Sequence, residues 1–141
     1  MMWVLDTDHL TILGRGGSTA LSLQMRLGLV PIEDVVTTII NYEEQMRGWL
    51  SLAAQVGATE RMIEAYARLQ AHIETFRDIT ILAFDRAAFE QFQYLRQRRL
   101  GVGTSDLKIA AVCLAHDATL LTRNLRDFGK IPGLRAEDWL V

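Results

Sequence analysis

Two patterns of apolar residues alternate along this chain. Mostly apolar runs of four to six residues predict buried strands, and they lie at residues 2–5, 35–40, 79–83, 118–122 and 134–139, the last as an edge strand. Apolar residues spaced three or four apart predict helices, at residues 21–29, 41–56, 60–77, 86–99 and 107–115. We expect Asp85, and either Thr104 or Ser105, to cap the last two of these helices. Because strands alternate with helices, we predict an α/β fold whose mostly parallel sheet of four or five strands is flanked by helices.

The length and composition fit one globular domain spanning residues 1–141. The formal net charge of −2 is not the basic balance of a protein that coats nucleic acid, but it leaves room for an enzyme that acts on nucleic acid. No membrane-spanning run and no secretion signal are evident, so we expect a cytoplasmic protein. The lone cysteine, Cys113, lies in the apolar segment I-A-A-V-C-L-A and is expected to be buried.

Polar residues follow three of the predicted strands at the point where each strand ends. In open parallel sheets, ligands bind just beyond these carboxyl ends, so we expect the polar side chains to share one cleft. Asp106 opens the helix that leads to the fourth strand and belongs with them. The remaining candidates are Asp6, Thr7, Asp8, Asn41, Glu43, Glu44, Thr122, Arg123, Asn124 and Asp127.

Carboxylates that converge in a cleft repel one another, and a hard divalent cation relieves that repulsion. Oxygen ligands favour Mg²⁺ or Mn²⁺ over Zn²⁺. His9, His72 and His116 show no paired ligand spacing and are interpreted as surface or structural groups. The acidic set therefore predicts a metal site suited to phosphodiester hydrolysis.

Each acid also has an ordinary structural interpretation. Asp6 could cap the helix that follows it, and Asp106 could be a first-turn acid that favours the helix dipole. Glu43 and Glu44 could form a solvated helix face, and Asp127 could be a turn residue. The metal-site hypothesis depends on the whole set and not on any single position.

Three sequence blocks resemble the PIN-domain ribonucleases, and within them the VapC toxins of type II toxin–antitoxin pairs. The blocks are V-L-D-T-D, T-I-I-N-Y-E-E-Q-M-R-G, and the long segment that begins D-L-K-I-A-A, continues L-L-T-R-N-L-R-D-F and I-P-G-L, and ends E-D-W. The third block is the most specific one, whereas the helical middle of the chain matches only in layout.

The resemblance implies a PIN-like, doubly wound three-layer α/β/α fold, a Mg²⁺ or Mn²⁺ cofactor and endonucleolytic cleavage of RNA. It also implies a cognate VapB-like antitoxin and a homodimer. By matching position, Asp6 and Asp106 are the metal ligands. Glu44 is the second-block acid because Gly48 follows it by four positions, with Glu43 as the open alternative.

The fourth acidic position departs from much of the family. Many members have aspartate where this chain has Asn124, and Asp127 three residues later is a candidate for the missing charge. Asn124 could supply a neutral oxygen or position a water. Around these acids, Thr7 and Thr122 could orient a carboxylate or water, or simply cap strand ends.

Basic residues near the acidic blocks could contact RNA phosphates. Arg96 and Arg99 precede the Gly101 loop and Arg123 lies in the third block. A solvated helix face is the ordinary alternative for the first two.

The leading function is therefore a Mg²⁺-dependent endoribonuclease toxin. A non-toxin RNA-processing nuclease of the same fold, and a catalytically eroded RNA- or protein-binding module, are the alternatives. A phosphatase with an aspartyl nucleophile, suggested by D-T-D, lacks room for a cap domain.

Overall fold

A five-stranded parallel sheet forms the centre of the computed structural model, which describes residues 1–141. Its strands lie side by side in the order β3-β2-β1-β4-β5, so the first strand is central and the last is at an edge. In the register, Val4 lies beside Val36 and Leu120. The strands are β1 Trp3–Leu5, β2 Val35–Thr38, β3 Thr80–Leu82, β4 Thr119–Leu121 and β5 Arg135–Glu137.

Seven α-helices accompany the sheet. They are α1 Thr7–Arg15, α2 Leu21–Leu27, α3 Ile39–Gln55, α4 Arg61–Arg77, α5 Arg86–Gln97, α6 Thr104–Ala115 and α7 Leu125–Phe128. Short 3₁₀ turns occupy Ser18–Ala20 and Ile32–Asp34. None of the helices is both long and apolar enough to cross a membrane.

Two separate clusters of buried side chains cover the two faces of the sheet. Val4 and Leu120 belong to the larger cluster, which includes Leu95 of α5 and the apolar body of α6. Their sequence neighbours Leu5 and Leu121 belong to the smaller cluster, with residues of α1, α2 and α4. Because successive strand residues face opposite sides, strands covered on both faces are apolar at every position. This explains why the strands are mostly apolar runs without alternation, and it confirms the predicted α/β/α fold.

The structure corrects two predicted boundaries. The second strand ends at Thr38 and not at Ile40, because the Thr38 hydroxyl accepts a hydrogen bond from the Asn41 N–H at 3.1 Å and caps α3. The prediction that Thr104 or Ser105 caps the sixth helix is wrong: Gly103 is the capping residue and both hydroxyl residues lie inside α6.

Other predictions about single residues are confirmed. Asp85 accepts a hydrogen bond from the Ala88 N–H at 3.1 Å and caps α5. Cys113 is fully buried, and burial raises the pKa of its thiol. Helices α1 and α7 have no counterpart among the predicted ranges. Both begin where a central strand ends, which places their first turns beside the polar residues of interest.

Candidate active site

Asp6 is the centre of the site because it directly follows the central strand β1. Its side chain is only 8% exposed, and both carboxylate oxygens accept hydrogen bonds. The Thr122 hydroxyl donates to Oδ2 at 2.7 Å, and the Asn41 amide donates to Oδ1 at 2.8 Å. The residues that follow β2 and β4, the two strands beside β1, therefore fix the orientation of this carboxylate.

The side chain of Asn41, which contacts the Asp6 carboxylate, is itself fixed by burial and hydrogen bonds. It is fully buried, and its Oδ1 accepts a hydrogen bond from the Thr38 hydroxyl at 2.7 Å. Its Nδ2 also lies 3.3 Å from the Thr7 hydroxyl oxygen. The sequence analysis did not single out Thr38. The signal was available, because Thr38 precedes Asn41 by the three positions typical of a helix cap.

Glu44 and Asp106 carry charges that the fold does not neutralise. Burial and then repulsion from Asp6 and Asp106 raise the pKa of Glu44, and the Ser105 hydroxyl only partly opposes this shift. The Oε1 atom of Glu44 is buried without any hydrogen-bond partner. Burial, followed by repulsion from Asp6 and Asp127, raises the pKa of Asp106, and no protein donor lowers it.

The same physical conflict affects Asp6. Burial is the largest cause of its raised pKa, and the nearby charge of Asp8 adds to it. The hydrogen bonds from Thr122 and Asn41 stabilise the ionised form but do not reverse the shift. The three acids Asp6, Glu44 and Asp106 are defined here as the acidic cluster.

The two neighbouring glutamates of α3 have different surroundings. Glu43 is exposed and its Oε2 accepts a hydrogen bond from Arg47 at 2.7 Å, one helical turn away. Glu44 is half-buried and interacts electrostatically with Asp6 and Asp106. The structure therefore brings Glu44, and not Glu43, together with the other two acids.

Asp127 lies at the rim of the acidic cluster and already has partners. The Asn124 amide donates to its Oδ2 at 3.2 Å, and the Lys130 ammonium lies 3.5 Å from its Oδ1. The hydrogen bond from Asn124 is the main reason why the pKa of Asp127 is lowered. Asn124 in turn caps α7, since its Oδ1 accepts from the Asp127 N–H at 3.4 Å.

A second hydrogen-bond network, formed by Asp8 and His9, holds the segments next to the site together. Asp8 Oδ1 lies 2.7 Å from His9 Nδ1, and its Oδ2 accepts from the Arg123 N–H at 3.0 Å. Burial is the largest opposing influence, but these hydrogen bonds together lower the pKa of Asp8. The fully buried His9 accepts from the Trp139 N–H at 3.1 Å through Nε2. These hydrogen bonds connect α1 to the turn after β4 and to the C-terminal segment. They were not predicted from the sequence.

Of the three arginines predicted to contact RNA, one lies beside the site and two lie near the end of α5. Arg123 lies in the turn beside Asp8, where its backbone and not its guanidinium makes the contact. Arg96 and Arg99 are exposed near the end of α5 and form no ion pair with any acid of the site. Thr7, Thr122 and Asn124, in contrast, all lie at the site, as described above.

The chemistry of the acidic cluster fits a hard divalent cation. Three carboxylates have raised pKa values, and one buried oxygen of Glu44 has no donor, so the cluster lacks positive charge. No three acidic, histidine or cysteine side chains lie close enough to enclose a metal by themselves. Mg²⁺ suits such a site because it commonly keeps several waters and binds only one or two carboxylates.

A family model matches most of this chain, and two known ribonucleases match shorter segments of it. A sequence model of the PIN domain matches residues 4–134. Two ribonucleases of Rickettsia felis, VapC2 and VapC1, are 44% and 45% identical over 45 and 40 residues. These segments cover 32% and 28% of this chain, and the chain spans only about a third of the length of either relative (34% and 30%).

Solved structures match the fold over nearly its full length. The VapBC-1 structure from nontypeable Haemophilus influenzae has a TM-score of 0.74 at 21% identity and covers 100% of both chains. VapBC2 from Rickettsia felis, bound to a DNA fragment from its promoter, has a TM-score of 0.74 at 20% identity and covers 99% of both. A toxin–antitoxin complex from Klebsiella pneumoniae has a TM-score of 0.67 at 25% identity, with 95% of each chain covered.

Proposed function

The chain belongs to the PIN domain family, and from this premise we propose that it is a Mg²⁺-dependent endoribonuclease, the toxin of a VapBC-type toxin–antitoxin pair. The observation that carries the proposal is the acidic cluster. Asp6, Glu44 and Asp106 come from three separate elements, meet at the carboxyl end of the sheet and all have raised pKa values. A fold does not gain stability from such an arrangement, because each charge opposes the others.

Asp6 and Asp106 are proposed to hold the cation, for which Mn²⁺ could substitute. Asp6 is fixed by two hydrogen bonds and offers a rigid anchor. Asp106 has no protein partner, so its carboxylate is free to adjust to a ligand. When bound, Mg²⁺ would polarise the phosphoryl oxygen, offset the charge that develops during displacement and make water more acidic.

Glu44 is proposed to accept the proton of the attacking water. Its raised pKa makes it a better base than an ordinary exposed glutamate, and its Oε1 has no competing donor. Water would attack phosphorus in line while the bond to the 3′-oxygen breaks. The 3′-oxygen takes up a proton as it leaves, so the products carry a 5′-phosphate and a 3′-hydroxyl.

Asp127 and Asn124 are given supporting roles. Asp127 contributes negative charge from the rim, where it interacts with Asp106. Asn124 caps α7 through its side-chain oxygen, and its amide nitrogen donates a hydrogen bond to Asp127. These contacts give Asn124 a structural role in positioning Asp127. The raised pKa values of Asp6, Glu44 and Asp106 support an intact site over an eroded binding module.

The partner proposal is supported by the relatives and by exposed apolar side chains. The matched solved structures are toxin–antitoxin assemblies. In this chain Leu21, Met25, Leu29 and Ile32, which lie in α2 and in the segment after it, are 55%, 72%, 87% and 81% exposed. We propose that a VapB-like antitoxin or a second copy of the chain covers these side chains.

The test is incubation of the purified protein with total RNA in the presence of Mg²⁺ or of EDTA, followed by mapping of the cut ends. The proposal predicts discrete cuts only with the metal, with 5′-phosphate ends. Cutting that persists in EDTA, or release of phosphate from small phosphomonoesters without RNA cleavage, contradicts it. Growth arrest on expression, relieved by the product of an adjacent small gene, separates a toxin from an RNA-processing nuclease.

A further inference from the structure

A cavity of about 600 Å³ lies between α1, α3 and α4, directly beside the acidic cluster. Two of its lining residues are sequence neighbours of cluster members. Thr7 follows Asp6, and Gln45 follows Glu44. The lining residue Thr7 is also linked to the site directly, because its hydroxyl lies 3.3 Å from the same Asn41 amide nitrogen that donates to Asp6. A polymer bound across the acids could therefore extend into the cavity.

The charge of the cavity is opposite to that of the site. Its 13 lining residues include two arginines, Arg15 and Arg68, and no carboxylate. Arg15 forms no ion pair, whereas Arg68 lies 3.0 Å from Glu64, which is outside the lining. In a chain with a net charge of −2, this is a local positive region that favours an anionic ligand.

The walls also carry groups suited to a flat, hydrogen-bonding ligand. Trp49 lines the cavity and the Arg68 guanidinium lies 5.6 Å from its ring centroid. His72 is only 3% exposed, packs against Tyr42 and Phe76, and neither of its ring nitrogens has a hydrogen-bond partner. Burial lowers the pKa of His72 and thus favours the neutral ring, which carries one donor and one acceptor.

The structure assigns this cavity as a substrate subsite that binds the RNA nucleotide next to the scissile phosphodiester, with Arg15 and Arg68 at the phosphate and Trp49 and His72 at the base. The assignment rests on the proposed ribonuclease function. Arginine at a backbone phosphate and an aromatic ring against a base are the usual elements of single-strand recognition.

Substitution of a glycine that lines the cavity can test whether the cavity binds RNA without changing any charge. Gly14 and Gly48 both line it, both are helical, and a Cβ added at either position meets nothing within 4 Å. Gly48→Leu would therefore fill part of the cavity while it improves the helix propensity of α3. Ala54→Leu on the exposed face of the same helix, outside the cavity, is the matched control.

A second pair of variants tests the charges. Arg68→Gln removes a cation that lines the cavity. Arg77→Gln is the control, because Arg77 is an exposed cation on the same helix, outside the cavity, and its guanidinium lies 3.7 Å from Asp78. The double variant Arg15→Gln/Arg68→Gln is expected to reduce the slope of log binding constant against log salt concentration by about 0.7 per lost phosphate contact.

The experiment measures binding of a fluorescent single-stranded RNA to protein that also carries Asp106→Asn, so that no cleavage occurs, and in parallel KM and kcat of the cleaving protein. We expect the cavity variants to weaken binding and raise KM about tenfold, with kcat changed less than about twofold, and Arg77→Gln and Ala54→Leu to have no effect.

Binding by the cavity variants that equals binding by the two controls overturns the assignment. Loss of affinity for a copurifying protein partner with unchanged RNA affinity also overturns it, because the cavity would then serve that partner. If the parent protein binds RNA through the cavity but never cleaves it, the proposed ribonuclease function fails, whereas RNA binding by the cavity is supported. The two failures are thus distinguishable.

Discussion

Replacing Asp106 by asparagine is expected to separate the chemistry of the site from the stability of the fold. The Asp106 carboxylate is half-buried and accepts no hydrogen bond from the protein, and its pKa is raised by burial and by Asp6 and Asp127. Asparagine has nearly the same shape and removes the charge. The substitution therefore deletes a repulsive interaction and no stabilising contact.

The expected stability change is small and positive for the metal-free protein. Because the group is partly exposed and screened by solvent, we expect a gain below about 1 kcal/mol. For a chain of this size, each kcal/mol corresponds to a Tm change of about 2–4 °C. Asp6→Asn is the contrast, because Asp6 accepts hydrogen bonds from Thr122 and Asn41. Loss of an acceptor there costs about 1–3 kcal/mol.

The assay is thermal unfolding of wild type and both variants, in EDTA and across a titration of Mg²⁺ or Mn²⁺. At a metal concentration of 100 times the dissociation constant, a site that exists only in the folded state adds about 2.7 kcal/mol. We expect this metal-dependent rise in wild type and its loss in Asp106→Asn. An Asp106→Asn protein that is destabilised in EDTA, or that keeps the full metal response, refutes the reasoning.

Three further predictions concern the surroundings of the acidic cluster. Asn41→Ala removes the donor to Asp6 Oδ1 and should cost about 1–3 kcal/mol in urea unfolding; an unchanged midpoint would show that the contact is dispensable. His9→Phe keeps an aromatic ring at the buried position but removes both ring hydrogen bonds, and it should cost at least a similar amount, whereas a Tm equal to wild type would argue against the hydrogen-bond network of Asp8 and His9. The third prediction concerns pH. The pKa values of Asp6, Glu44 and Asp106 are raised, so between their ordinary values near about 4 and the raised values the folded state binds more protons than the unfolded state. These acids should therefore lower stability in EDTA as the pH rises through this window, whereas the lowered pKa of His72 acts in the opposite direction just below its ordinary value. The slope should thus be less negative in Asp106→Asn than in wild type, and excess Mg²⁺ should weaken it; equal slopes for the two proteins in EDTA would contradict the described electrostatics.

Much of the fold follows from the sequence because its causes are local. The central part of the sheet is covered on both faces, so its strands are mostly apolar or threonine at successive positions and stand out from the periodic helices. The placement of acids after β1 and β2 then follows from strand order alone. The boundary at Thr38 was misplaced because a β-branched run continues into the first turn of α3, and only the capping hydrogen bond marks the change.

The details of the site depend on contacts between distant parts of the chain. Asn41 and Asp6 are 35 positions apart, and His9 and Trp139 are 130 apart, so no local pattern identifies either pair. The choice between Glu43 and Glu44 depends on what surrounds α3, since the two are adjacent along one helix. The unpartnered ring of His72 is equally invisible in the sequence, because it reflects packing between α3 and α4.

Cleavage of a defined single-stranded RNA by wild type and Asp106→Asn, each in Mg²⁺ and in EDTA, tests the central claim most directly. A metal site that supplies several kcal/mol of transition-state stabilisation should lose at least about 10²-fold in rate when this carboxylate is removed. We expect wild type to cleave only with Mg²⁺ and to leave 5′-phosphate ends. We expect the Asp106→Asn variant to show this loss of rate although its Tm in EDTA is equal to or above that of wild type. Equal rates for the two proteins, or full wild-type activity in EDTA, would contradict the central claim.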